Sequence, residues 1–168
     1  YNSTGSTIPV GSAVYVNGQH SQFPTVALAQ ANASTTCNAI GMTNTAIANN
    51  SYGDVVVLGK YTGLNTSGFN SGDLLYLSAT TAGALTNVKP SSPNHLVYIG
   101  VVERANQGQG QIYVSPQNGY ELEELHNVKI DHLVALADGH VLTWSATDNQ
   151  WKNAPAFSGS YNDLTNKP

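Results

Sequence analysis

Gly72-Asp73-Leu74-Leu75-Tyr76-Leu77-Ser78, with the chain after it as far as Val114, decides how the rest of the sequence is read. It runs as a strand, a long turn, a strand at Leu96-Val97-Tyr98-Ile99, then Gly100 and a further strand at Val101-Val102-Glu103. A Gly/Gln loop from Ala105 to Gly110 leads into a last strand at Gln111-Ile112-Tyr113-Val114. Short β-branched and aromatic runs bounded by glycines are the signature of strands joined by tight turns.

The same succession occurs once earlier. Gly11-Ser12-Ala13-Val14-Tyr15-Val16 matches the opening, Asn38-Ala39-Ile40-Gly41 matches Tyr98-Ile99-Gly100, and Gly53-Asp54-Val55-Val56-Val57-Leu58 stands where Gly110 to Val114 stands. Gly11 to Gly41 is 30 positions and Gly72 to Gly100 is 28, so the halves run nearly in step. Two similar β units predict an all-β fold, a small barrel over 11–118 built from two repeats. Closure would also protect Val/Leu/Tyr strands that carry few lysines or prolines at their edges.

Within the first half, Asn17-Gly18 predicts a turn, since both residues tolerate positive φ. Pro24-Thr25-Val26-Ala27-Leu28-Ala29-Gln30-Ala31 predicts a helix of two turns at most, with Pro24 at its first position. In the second half the helix is replaced by Ala79 to His95, where a short strand is expected at Ala84-Leu85-Thr86. Leu64 and Phe69, isolated apolar residues in a Gly-rich stretch, are expected to plug the barrel end. Residues 1–10, rich in Ser, Thr and Gly, are expected to be an N-terminal linker.

At Gly119 the character changes. Leu122, Leu125 and Val128 recur three apart in a neck or stalk over 119–134, which cannot bury them alone. Over 135–168, Asp138-Gly139-His140-Val141-Leu142-Thr143-Trp144 and Gln150-Trp151-Lys152-Asn153 form a hairpin with Trp144 and Trp151 on opposite arms. A two-stranded hairpin is marginal alone in water, so this part of the chain asks for partners, most simply its own copies. The interface expected between copies comprises Leu122, Leu125, Val128, Leu133, Leu142, Trp144, Trp151, Tyr161 and Leu164.

Composition narrows the function. Only 10% of the 168 residues are charged, against about 25% in ordinary domains. Solubility therefore falls to Asn, Ser, Thr and Gln, a surface that suits extracellular or virion β proteins. A net charge of −4 offers no footprint for a phosphate backbone, and nucleic acid is not an expected partner. No run approaches the roughly 20 apolar residues that span a bilayer, so membrane insertion is not expected. A single cysteine, Cys37, excludes an internal disulfide and a multi-thiolate zinc site within one chain. The chain begins at Tyr1, not Met, and reads as an internal or processed fragment.

Leu125-His126-Asn127-Val128, with Asp138 to Trp144 and Gln150-Trp151-Lys152-Asn153, resembles the "LxDV…DGxVLxW…xxWxN" unit of bacteriophage tail fibres. Ser160-Tyr161-Asn162-Asp163-Leu164-Thr165-Asn166-Lys167-Pro168 is similar to the "SYxDLxNKP" segment of the same proteins, and Gly63 to Val114 resembles tail-fibre and head-fibre modules. The chain has His126-Asn127 where Ser-Asp is common. The resemblance implies a structural segment of a virion fibre, a parallel homotrimer that supports host attachment. It further implies other fibre, baseplate or capsid proteins as partners, and a virion location after assembly in the host cytoplasm.

No catalytic residue, cofactor or metal is expected. His20, His95, His126, His132 and His140 form no His-x-His pair of the kind some trimeric fibres place around a metal on their axis. No nucleophile elbow or metalloprotease helix motif is present. Glu121, Glu123 and Glu124 read as a solvated acidic face. The alternative function is a carbohydrate-binding adhesion module, with Trp144, Trp151, Tyr52 and Tyr61 stacking on host sugars. For the tryptophans, a packing pair across facing arms is the simpler reading.

Overall fold

The computed structural model describes residues 1–119, 122, 125–130 and 138–156. The chain divides into two compact units, Tyr1–Gly119 and Tyr120–Pro168, so the division falls where the sequence changes character. Among the described residues the regular elements are strands, apart from a 3-10 position at Leu122, and no α-helix occurs.

The first unit holds two antiparallel sheets. One contains β1 (Ala13–His20), β2 (Phe23–Leu28), β3 (Ala39–Thr43) and β4 (Val55–Val56), in the order β2-β1-β3-β4. The other contains β5 (Gly59–Leu64), β6 (Leu74–Leu77), β7 (Leu85–Thr86), β8 (Val97–Arg104) and β9 (Gly110–Asn118), ordered β5-β9-β8-β6-β7. β7 occupies the short strand expected at Ala84-Leu85-Thr86.

The two sheets share details of register. Val14 of β1 faces Gly41 of β3, and a bulge follows so that Tyr15 faces Ala39. Leu75 of β6 faces Gly100 of β8, and a bulge follows so that Tyr76 faces Tyr98. Just before these pairs, Gly11 N donates to Thr43 O and Thr43 N to Ser12 O; correspondingly Gly72 N donates to Val102 O and Val102 N to Asp73 O. Gly11 and Gly72 both have positive φ, 71° and 93°, so each starts its strand from a conformation only glycine adopts at no steric cost.

The sheets do not close into the expected barrel. β4 and β7 are two residues long, too short to form ladders across the corners. At one corner the chain passes directly from β4 to β5; at the other, Ala13 N donates to Gly83 O and Gly83 N to Ala29 O. Face-to-face packing replaces closure. Ala13, Ala39 and Met42 from the first sheet meet Leu75, Leu77, Ile99, Val102, Ile112 and Val114 from the second in one buried core. Full burial of each large aliphatic side chain is worth about 1.5–3 kcal/mol. Leu64 and Phe69 pack half-buried against this core.

The region expected to be helical is β2, paired with β1. Val26 is buried beneath the sheet, and Pro24 is tolerated because β2 is an edge strand. Tertiary pairing outweighs the helix propensity of the alanines. Asn17-Gly18 is not the turn: β1 runs on through a bulge at this point, and the chain reverses at Ser21-Gln22, with Ser21 at φ 55°.

Residues 1–10, read as a linker, are built into the unit. Ile8 and Ile47 exchange backbone hydrogen bonds of 2.9 Å, and the Asn2 amide donates to Ser6 O and Ile47 O at 2.7 Å. The cause is the outer face of the first sheet, where Val14 and Val26 would otherwise meet water. Ile8 and Ile47 cover them in a second small core, with Leu28, Ile40 and Val55 at its margin.

The second unit contains β10 (Val128–Lys129), β11 (His140–Ser145) and β12 (Gln150–Pro155), in the order β10-β12-β11. β11 and β12 form the expected hairpin, and β10 joins β12 in parallel.

Candidate functional site: an open aromatic face on the hairpin

The hairpin turns through Ala146-Thr147-Asp148-Asn149 between the paired residues Ser145 and Gln150, with Asn149 at φ 54°. Asp148 anchors the turn, accepting hydrogen bonds from the Ser145 hydroxyl at 2.7 Å and the Lys152 ammonium at 2.5 Å. These two partners, Lys152 first, hold the Asp148 carboxyl below the usual carboxylate range.

Cross-strand partners share a face, so the register sorts the side chains. Trp144 faces Trp151 and Leu142 faces Asn153 across the hairpin, while Val128 of β10 lies opposite Trp151. The indole rings meet edge to face, with centroids 5.6 Å apart and planes at 67°. The opposite face carries Lys129, Lys152 and Thr143, together with Val141. Trp144 remains 47% exposed and Trp151 40%, so the indoles touch each other and still present nearly half of their surface to water. Leu142 beside them is also exposed.

Leu122 and Leu125 are exposed, and Val128 is half-buried in β10. Leu133, Tyr161 and Leu164, also expected at an interface, lie outside the described residues, as do His132, Glu121, Glu123 and Glu124.

The two tyrosines proposed to stack on sugars have opposite fates. Tyr61 is only 5% exposed, and its hydroxyl donates to Thr43 O at 2.8 Å. It cannot offer a ring face to a ligand, because β5 aims it into the core between the sheets. Tyr52 is 58% exposed and belongs to an aromatic group that sequence reasoning missed. Its ring lies edge-on to Tyr1 and Phe23, both 5.0 Å away, and Tyr1 stacks on His20 at 3.9 Å and 8°. No local pattern marks these four positions. His20 and Phe23 are a cross-strand pair beside the β1–β2 turn, and the Asn2–Ser51 bridge brings Tyr1 and Tyr52 together.

Among the described residues, no three His, Cys, Asp or Glu side chains stand together as a metal ion would require. What the unit Tyr120–Pro168 offers is an exposed apolar surface. Its described residues place two indoles and a leucine on one exposed sheet face. Comparison with protein-family models, with curated proteins and with solved structures finds no significant match.

Proposed function

We propose that this chain is a structural segment of a bacteriophage virion fibre, of the tail or the head, that assembles as a homotrimer and supports host attachment. The observation that carries this is the open Leu142–Trp144–Trp151 face, made by the same residues that resemble the fibre unit. A three-stranded sheet that exposes apolar side chains on its outer strand β11 and its central strand β12 gains stability by covering them. Identical chains supply a matching surface around a common axis, and Leu122 and Leu125 extend the apolar area available to them.

The first unit fits a rigid segment. Its shared registers favour two copies of one β unit packed core to core, a construction that resists local opening because each strand's loss exposes the other sheet. A surface poor in charge limits nonspecific electrostatic sticking. Partners along the virion would be other fibre, baseplate or capsid proteins.

Light scattering on the purified chain tests the assignment. A particle near three times the 17.7 kDa chain mass is expected, and Trp144→Ala with Leu142→Ala should reduce it to single chains. A stable monomer across micromolar concentrations would refute the assembly.

A further inference from the structure

We propose that the outer face of the second sheet docks on the outer face of the first sheet of another copy of this chain, repeating between chains the sheet-on-sheet contact already present within one.

The shared registers identify which faces correspond. Val14 and Leu75 each pair with a glycine, Gly41 or Gly100, and Ile40 and Ile99 are the bulge residues beside those glycines. Ala13, Tyr15 and Met42 then match Leu74, Tyr76 and Val101. Val56 matches Tyr113, and its carbonyl crowds Gly41 as that of Tyr113 crowds Gly100. By the same pairing Val55, opposite Thr43, matches Ile112, opposite Val102. Successive side chains point to opposite sides of a sheet, so each sheet has a face A, bearing Tyr15 or Tyr76, and a face B, bearing Ile40 or Ile99.

The two sheets meet through unlike faces. Ala13, Met42 and Val56, from face A of the first, pack in one core with Leu75, Ile99 and Ile112, from face B of the second. A head-to-tail contact of this kind leaves one face of each type without a partner sheet. On face B of the first sheet, Ile8 and Ile47 cover Val14, while Val26, Ile40 and Val55 floor a cleft of about 750 Å³ walled by the exposed Phe23 and Tyr52. Ile40 and Val55 are only half-buried there, whereas the matching Ile99 and Ile112 are 0% and 2% exposed. On face A of the second sheet, Leu74, Val101 and Tyr113 form a row across three strands, with Leu74 50% exposed and Tyr113 42%. Tyr76 and Tyr98 flank the row, their rings edge to face at 6.3 Å.

A second copy is the occupant because this contact continues an interface the chain already makes: one face A already seats on one face B in the core between the sheets. Each chain thus carries both halves of a further contact, and covering their apolar side chains is favourable. Unlike surfaces joined in this way close into a ring or run on as a filament. Closure at three chains rests on the trimer proposed above; the contact itself does not. The trimer then has two contacts, this one and the Leu142–Trp144–Trp151 face, and each raises the effective concentration at which the other forms.

The test is photo-crosslinking of the full chain with p-benzoylphenylalanine in place of Tyr113, mixed with isotope-labelled parent chain at concentrations where light scattering reports association. Mass spectrometry is expected to find cross-links from the probe to the labelled chain at peptides carrying Phe23, Tyr52 or Val57. Tyr52→Asp on the receiving chain should cut this yield about tenfold, and the same change on the probe chain should leave it unaltered. Leu74→Asp should show the reverse pattern. Circular dichroism of the variants, both at exposed positions, should match that of the parent. The inference is overturned by cross-links confined to the probe's own chain, by cross-links to the Tyr113 region of the other copy, or by equal effects of Tyr52→Asp on either chain. A trimer that lacks these cross-links overturns it and leaves the fibre reading standing, whereas single chains at every concentration overturn both.

Discussion

Gly41 and Gly100 do the same steric work in the two sheets of the first unit. A Cβ on Gly41 would lie 2.3 Å from Val56 O, and one on Gly100 would lie 2.2 Å from Tyr113 O. In both places the clash is with the backbone of the neighbouring strand, which cannot rotate aside as a side-chain tip can. Each glycine also immediately follows the residue left unpaired by its bulge, Ile40 or Ile99. The bulge re-aims the strand, and the missing side chain lets the next strand approach.

Alanine at either glycine should therefore be costly. Gly41→Ala and Gly100→Ala are each expected to destabilise the first unit by about 1–3 kcal/mol through overpacking. Gly68, whose Cβ would meet nothing within 4 Å, provides the control, and Gly68→Ala should be near neutral. Urea denaturation with tyrosine fluorescence as the probe would distinguish them. Equal midpoints for all three variants would remove the steric explanation.

The edge-to-face tryptophan pair should be energetically coupled. A double-mutant cycle over Trp144→Ala and Trp151→Ala is expected to return about 0.5–1.5 kcal/mol of interaction. Sedimentation of the same variants reports assembly separately. If the proposed homotrimer uses this face, each single variant shifts the population toward monomer.

Tyr61 links the two sheets, since it lies on β5 of one while its hydroxyl donates to Thr43 O of the other. Tyr61→Phe leaves that carbonyl without this donor and is expected to cost about 1 kcal/mol. Burial pushes the Tyr61 phenol above its ordinary value, against a smaller lowering from the Gly11 backbone. Its contribution to stability is thus complete below the unfolded tyrosine pKa and fades as pH rises through the higher folded value. Alkaline melts should fall less steeply for Tyr61→Phe than for the parent.

Asp73 has the opposite sign. Its Oδ2 accepts from Asn70 N and from the Asn87 side chain, both at 2.9 Å, and the Asn70 contact is the larger cause of its lowered pKa. The resulting stabilisation is present above the unfolded aspartate value and is lost as pH falls through the lower folded one. Asp73 lies at the surface, half-exposed, so the effect should be small and weakened by salt. A carboxyl titration by NMR is expected to place Asp73 below the ordinary aspartate value, and Asn87→Ala should move it upward.

Strand content, the paired glycines and the hairpin with its two tryptophans follow from local chemistry. Gly-bounded β-branched runs can be little else, and an Asp-Asn turn between tryptophan-bearing arms closes into one register. Whether the strands would close on themselves was not legible, because closure depends on edge lengths, and β4 and β7 are each two residues long. The same holds for Pro24 to Leu28, whose alanine-rich surroundings favour a helix until β1 offers a ladder and a buried place for Val26. Tyr61 and Tyr52 carry identical rings, yet one is sealed between sheets and the other stands in a cleft beside Tyr1 and Phe23. Local pattern identifies which residues can be strands and which are apolar. Burial and the meeting of distant rings arise only when the sheets fold over one another, since these are properties of neighbours and not of the residue.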